Sequence, residues 1–187
     1  MKSIGTIAGP VSVLERDDVD TDQIMPKQFL KRVERTGFGQ FLFHQWREEP
    51  GWDLPQNRIL VAGRNFGHGS SREHAAWALQ DYGFEAIIAP SFADIFRANC
   101  TKVGVLPVAL EESACRALAR AGEAQIDLRR QEVTWPGGTA PFEIDPDTKH
   151  RLIHGLDEIA LTLEKEAAIA AYEGERERSG PVTTALT

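Results

Sequence analysis

The chain has 187 residues, of which 42% are hydrophobic, and its formal net charge is −7. This length suits one domain with a sizeable core, and the acidic balance argues against nucleic acids and anionic membranes as partners, since both bind basic surfaces. The two cysteines lack a Cys-x-x-Cys spacing, which argues against a disulfide framework and against a zinc or iron–sulfur site built by this chain alone. No signal peptide and no apolar run of about 18 residues is visible, so we expect a cytoplasmic protein.

The first predicted elements lie on either side of an acidic loop. Apolar residues over 1–14 predict a strand region that Gly9-Pro10 interrupts. The loop that follows contains Asp20-Thr21-Asp22, which is either a solvated turn or the place where Asp22 orients a cation or a catalytic hydroxyl. Residues 27–35 predict a short helix rich in cations. Such a run is either a solvated helix face or a candidate substrate contact.

Strands and helices are predicted to alternate from residue 58 onward. Apolar runs over 58–62, 86–89 and 103–110 are typical of buried strands, and the helical spacing between them predicts a parallel sheet. We expect the first of these helices to begin with Ser70 or Ser71 as its N-cap and to stop at Gly83. The second helix is expected to begin with Ser91 as its N-cap.

The C-terminal third predicts smaller elements. A helix is expected over 111–121, and hairpin strands over 124–145. Helical spacing returns in 148–154 and 157–173, and the polar residues 173–187 are expected to form a mobile tail.

The glycine-rich loop 67–72 is the strongest chemical signal in the chain. Its sequence, Gly-His-Gly-Ser-Ser-Arg, lies between a predicted strand and a predicted helix. Amide groups at a helix start and a guanidinium together suit a carboxylate, and a second hydroxyl remains for chemistry if one serine caps the helix. The loop is not a dinucleotide fingerprint, because Arg72 stands where the third glycine would be, and it is not a Walker A motif. The alternative is an ordinary turn in which Ser70 merely caps the helix.

A family resemblance is carried by residues 20–26, 37–39, 65–75, 89–96 and 106–108. These strings resemble the small subunits of bacterial 3-isopropylmalate dehydratases and, more broadly, the swivel domain of the aconitase superfamily. The resemblance extends over nearly the whole chain. It implies an α/β fold, a swivelling β/β/α domain over 1–172 in which a partly open β-barrel is covered by helices.

The same resemblance implies a hydro-lyase subunit of leucine biosynthesis. The family isomerises 2-isopropylmalate to 3-isopropylmalate by dehydration and rehydration. The resemblance also implies that this chain binds no cofactor itself. It implies a [4Fe–4S] cluster held by three cysteines of a large subunit, with which this chain forms a heterodimer or heterotetramer. Methylmalate, dimethylmalate and homoaconitate remain alternative diacid substrates, and a non-catalytic anion-binding module remains the alternative to an enzyme.

Roles for individual residues are implied by this resemblance. Ser70 matches the serine that abstracts the proton, and Asp22 matches an acidic residue that supports the site. Ser71 and Arg72 match contacts to a substrate carboxylate. The second carboxylate-binding cation is expected among Lys31, Arg32 and Arg35.

Further residues are expected near the site because they lie on or beside the same loop. They are Asn65, Gly67, His68, Gly69 and His74. His68 stands where members of the family often have cysteine, which is a departure from the family pattern. No metal ligand is expected in this chain.

Overall fold

The computed structural model describes residues 1–31 and 36–179, and the chain divides into two compact units, Met1–Gly155 and Leu156–Thr187. The strands in the described residues are β1 Thr6–Leu14, β2 Ile59–Ala62, β3 Ala86–Ala89, β4 Leu106–Ala109, β5 Glu123–Asp127, β6 Glu132–Trp135 and β7 Gly138–Pro141. The α-helices are α1 Thr21–Ile24, α2 Glu73–Tyr82, α3 Asp94–Val103, α4 Glu112–Ala121, α5 Pro146–His154, α6 Glu158–Leu163 and α7 Glu166–Ser179.

The strands of the described chain form one mixed sheet in the order β4-β3-β2-β1-β5-β6-β7. Strands β1 to β4 are parallel, with helices α2 and α3 carrying the chain back between β2, β3 and β4, and β1 and β5 to β7 are antiparallel. The sheet forms a half-barrel flanked by helices, as predicted. The hairpin predicted in 124–145 is also confirmed, with β6 and β7 paired from Trp135↔Gly138 onward.

The expectation that Gly9-Pro10 interrupts the first strand is wrong, because β1 runs unbroken through both residues. Thr6–Pro10 pairs antiparallel with β5, and Val11–Leu14 pairs parallel with β2. The change of partner falls at Pro10, a residue that has no N–H to donate to a ladder. The dipeptide therefore marks where one strand passes from one half of the sheet to the other.

The central parallel strands β2 and β3 are buried on both faces, which explains their unbroken apolar sequences. All four residues of β2 and of β3 are buried. Leu60 and Ile87 pack in one core with α2 and α3, whereas Val61 and Ile88 pack in a second core with α4 and α5. Continuous apolar runs are characteristic of parallel strands that are covered on both sides. Burial of each of these leucine, isoleucine and valine side chains stabilises the fold by about 1.5–3 kcal/mol.

Helix α2 ends where the sequence predicts, because Gly83 adopts a left-handed conformation with φ of 118° and its N–H closes the last turn. In the second unit, α6 begins after Asp157, whose carboxylate accepts a hydrogen bond from Ala160 N at 2.8 Å. Helix α7 runs through residue 172, and the domain boundary predicted there stays a prediction. None of the helices in the described ranges combines the length and apolar character needed to cross a membrane.

Candidate active site

The glycine-rich loop leaves β2 and reaches α2 only at Glu73. Its backbone is left-handed at Asn65, Gly67 and Gly69, with φ of 53°, 80° and 96°. Gly67 has a second constraint, since a Cβ at this position would lie 2.1 Å from Cγ of Phe96. A side chain at residue 67 is therefore excluded both by backbone conformation and by the packing of α3 beneath the loop.

One side of the loop is attached to the segment that follows β3. Asn65 N donates to Ser91 Oγ at 2.8 Å, and Phe66 N donates to Ser91 O at 3.0 Å. The prediction that Ser91 caps α3 is wrong, because that helix begins at Asp94 and its N-cap is Ala93, with no side-chain cap. The Ser91 hydroxyl holds the glycine-rich loop instead.

The other side of the loop lies along the acidic segment. Gly67 N donates to Val19 O at 2.7 Å, and Asn65 Nδ2 donates to Asp18 Oδ1 at 2.9 Å. Nε2 of His68 lies 2.7 Å from Asp18 O. Because a carbonyl oxygen only accepts, Nε2 carries the proton and the half-buried imidazole is tied to this segment. His68 thus joins the two loops.

Ser70 and Ser71 are both exposed, and Ser70 is held from below by a buried threonine. Thr21 Oγ1 donates to Ser70 O at 3.0 Å and accepts from Ser70 N at 3.1 Å. Arg72 N also donates to Ser70 O, at 2.7 Å. The backbone of Ser70 is thereby fixed while its side chain lies at the surface. Sequence reasoning missed Thr21, for which the only signal was its place between two aspartates.

The expectation that Ser70 or Ser71 caps α2 is wrong. The N-cap is Arg72, and no side chain caps this helix. The helix begins later than expected because the Ser70 backbone bonds to Thr21 rather than joining the first turn. The helix dipole weakens beyond the first turn, and the cation nearest to Ser70 in sequence is Arg72.

Asp22 and Arg72 form a bidentate ion pair at this site. The Arg72 Nη1–Asp22 Oδ1 contact is the shorter of the two, and Nη2 donates to Oδ2 at 3.2 Å. Lys27, the first cation of the 27–35 segment, lies with Nζ 3.9 Å from Asp22 Oδ2. The hydrogen bond from Arg72 holds the pKa of Asp22 below its usual value, and burial opposes this shift only in part. The side chain of Arg72 is only 13% exposed, so its direction is fixed by the carboxylate.

His74 lies in the first turn of α2 and packs in an aromatic cluster. Its ring meets Phe38 edge-on at a centroid distance of 5.4 Å and lies 4.5 Å from the ring of Trp77. Burial lowers the pKa of His74. Burial thus favours the neutral form of this imidazole, whose ring packs against Phe38 and Trp77.

The cation-rich segment is described only in part. Lys31 is exposed, and Arg32 and Arg35 lie outside the described residues. The predicted helix begins as a 3₁₀ turn, Lys27–Phe29, in which the Phe29 ring stacks on Phe41 at 4.1 Å. This stacking fixes the start of the segment, and the choice among the three predicted cations stays a prediction.

The two cysteines of the chain are Cys100 and Cys115. Both are buried, and loss of solvation raises the pKa of Cys115 to about 11 and raises that of Cys100 as well. His150 and His154 lie with ring centroids 4.6 Å apart. No group of three or more metal-ligating side chains occurs within residues 1–31 and 36–179. These residues therefore do not provide a ligand set for a metal ion or an iron–sulfur cluster.

Comparison with known proteins adds family evidence. The model of the aconitase C-terminal domain matches residues 48–113, and the model of the C-terminal domain of the 3-isopropylmalate dehydratase small subunit matches residues 158–181. The chain is 49% identical to a 3-isopropylmalate dehydratase small subunit of Rubrobacter xylanophilus, over 97% of this chain and 98% of that protein. It is 53% identical to the corresponding protein of Halalkalibacterium halodurans, over 94% and 100%. A crystal structure of 3-isopropylmalate dehydratase (LeuD) from Methanocaldococcus jannaschii matches with a TM-score of 0.71 at 28% identity, over 90% of this chain and 99% of that one.

Proposed function

We propose that this chain, which belongs to the family of 3-isopropylmalate dehydratase small subunits, supplies a proton-abstracting serine and carboxylate contacts for the isomerisation of 2-isopropylmalate to 3-isopropylmalate. The observation that carries the proposal is the placement of Ser70. Its side chain lies at the surface, its backbone is held by Thr21, and two residues later Arg72 provides a cation fixed by Asp22.

The proposed role of Ser70 is to remove a proton from the carbon next to the one that carries the hydroxyl. A serine is a poor base unless its oxyanion is stabilised, and a fixed cation stabilises it without reorganisation during the reaction. Arg72 has five N–H donors, and two of them bond to Asp22 in the described part of the chain. The three others suit a substrate carboxylate or the developing serine oxyanion. Asp22 fixes the guanidinium so that these donors keep one direction.

The diacid substrate requires a second cation, for which Lys31, Arg32 and Arg35 are the candidates. Ser71 lies between the proposed base and Arg72 in sequence and is exposed, which suits a hydrogen bond to the same carboxylate as Arg72. The relatives named above carry the name of the isopropylmalate enzyme. This favours isopropylmalate over methylmalate, dimethylmalate or homoaconitate.

The partner is a large subunit, as the names of the relatives imply. We propose that this large subunit holds the [4Fe–4S] cluster expected for the family, because the described residues of the small subunit offer no ligand set and both of its cysteines are buried. The surface that carries Ser70 would then face the partner and be closed by it. The stoichiometry, heterodimer or heterotetramer, belongs to the same proposal.

The test is Ser70→Ala in the complex with its cluster-loaded large subunit. Turnover is followed by absorbance of the unsaturated intermediate, isopropylmaleate. Loss of a positioned base should lower kcat by about 10²–10⁴-fold. Gel filtration of the complex is the control, because an exposed serine should leave assembly unchanged. A Ser70→Ala complex with kcat close to that of the wild type would refute the role of Ser70, and an inactive wild-type complex would favour the non-catalytic alternative.

A further inference from the structure

Thr21 stands out among the buried polar side chains of the described residues. These are Ser12, Thr21, Asn99 and Thr101, and Thr21 is 2% exposed. Both hydrogen bonds of its hydroxyl go to the backbone of a single residue, Ser70, one to its carbonyl and one from its amide. A buried hydroxyl thus holds, by one donated and one accepted hydrogen bond, a surface residue that lies in neither a helix nor a strand.

The backbone of Thr21 is already engaged, so its side chain makes this connection. Thr21 N donates to His68 O at 2.9 Å, and Thr21 O accepts from Met25 N at 2.9 Å. The pairing between the two loops, which begins at Gly67 and continues at His68, therefore extends to Ser70 through the hydroxyl. Gly67 and Gly69 lack a Cβ and so give this stretch more conformational freedom, which a contact from Thr21 to Ser70 restricts.

The neighbouring residue in the same helical turn fixes the other half of the site. Asp22 holds the guanidinium of Arg72, as described above. Helix α1 is itself secured by a capping box, in which Gln23 N donates to Asp20 Oδ1 at 2.8 Å and Asp20 N donates to Gln23 Oε1 at 2.9 Å. One short capped turn thus places both the proposed base and its cation.

We propose that Thr21 is a positioning residue: its hydroxyl fixes the backbone of Ser70 so that the serine oxygen is presented in a constant relation to Arg72. This inference depends on the function proposed for Ser70. A displacement of about 1 Å in a catalytic group reduces turnover by on the order of 10²-fold. Removing the hydroxyl should therefore affect kcat more than KM, because Thr21 lies beneath the site and does not contact substrate.

The experiment compares Thr21→Val and Thr21→Ser in the assembled enzyme, with Ser70→Ala alongside. Val keeps the shape of threonine and removes the hydroxyl, whereas Ser keeps the hydroxyl and removes a buried methyl group. We expect kcat of Thr21→Val to fall by about 10–100-fold with KM nearly unchanged. Thr21→Ser should recover most of this activity although its packing is poorer. Equal losses in both variants, or wild-type kcat in Thr21→Val, would overturn the proposal.

Amide hydrogen exchange of the full-length chain gives a readout that does not depend on activity. In Thr21→Val the Ser70 amide loses its acceptor, so its exchange should accelerate, and Thr21→Ser should retain protection. Unchanged exchange in Thr21→Val overturns the proposal even if that variant fails to assemble. The two proposals are separable: an active Ser70→Ala enzyme refutes the base, whereas an inactive Ser70→Ala enzyme beside a fully active Thr21→Val enzyme refutes only the positioning role.

Discussion

Gly67 and Gly69 form a matched pair that tests how the glycine-rich loop is packed. Both have left-handed backbone, with φ of 80° and 96°. A Cβ at residue 67 would lie 2.1 Å from Cγ of Phe96, whereas one at residue 69 would lie 3.6 Å from its nearest neighbours, Cβ of Asp20 and Oγ1 of Thr21. Substitution of each glycine by alanine therefore introduces similar backbone strain but a steric clash at only one position.

The expected loss of stability in each variant has two contributions, backbone strain and steric overlap. Left-handed backbone costs alanine about 1–2 kcal/mol, and this cost applies to both variants. Phe96 is 2% exposed and packs edge-on against Phe66 at 5.5 Å, so its ring has little room to move. Overpacking of this kind adds about 1–3 kcal/mol. We expect Gly67→Ala to lower the free energy of unfolding by about 2–5 kcal/mol, and Gly69→Ala by about 1–2 kcal/mol.

Urea unfolding of the full chain, followed by tryptophan fluorescence and by far-UV circular dichroism, measures the difference. The two variants and the wild type should share one m-value, so that the midpoints report stability. Equal destabilisation of the two variants would refute the argument that Phe96 excludes a side chain at residue 67. A larger loss in Gly69→Ala would refute it more directly.

Two further predictions concern ionisable groups. Because the pKa of Asp22 is lowered in the folded chain, the ion pair with Arg72 stabilises the fold above the unfolded pKa of about 4 and is lost as pH falls through the folded pKa. We therefore expect the free energy of unfolding of Asp22→Asn to be about 1–2 kcal/mol lower than that of the wild type at pH 7, a value reduced because the Asp22 side chain is 43% exposed. This difference in unfolding free energy should become smaller below pH 4. A difference that does not change with pH would contradict the prediction. Burial and raised pKa should make Cys100 and Cys115 unreactive toward Ellman's reagent at pH 8 until the chain unfolds; rapid reaction of either thiol in the native protein would contradict it.

Much of the sheet is predictable because its signals are local. The four-residue apolar runs of β2 and β3 are buried on both faces, and such strands carry their own pattern. Gly83 ends α2 by a conformation that glycine favours. By contrast, Gly9-Pro10 indicates a break when it is considered alone, and only the pairing of β1 with two different partners shows why the strand continues.

The candidate site was predictable in composition but not in arrangement. Ser70, Arg72 and Asp22 carry recognisable chemistry, and a cation partner for Asp22 was among the sequence hypotheses. The helix start was misplaced because the competing contact comes from Thr21, 49 residues away in sequence, and no local pattern encodes it. Ser91 was misassigned for the same reason, since its hydroxyl accepts from Asn65 rather than from its own helix.

The divided pairing of β1 also bears on how the chain is made. Thr6 pairs with Asp127, whereas the β2-α2-β3-α3-β4 succession closes mostly over neighbouring segments. During translation these later strands can associate soon after they leave the ribosome. The N-terminal half of β1, however, keeps an unsatisfied edge until β5 has been synthesised. Unpaired strand edges can pair with other chains, so this half of β1 is open to incorrect pairing until β5 emerges.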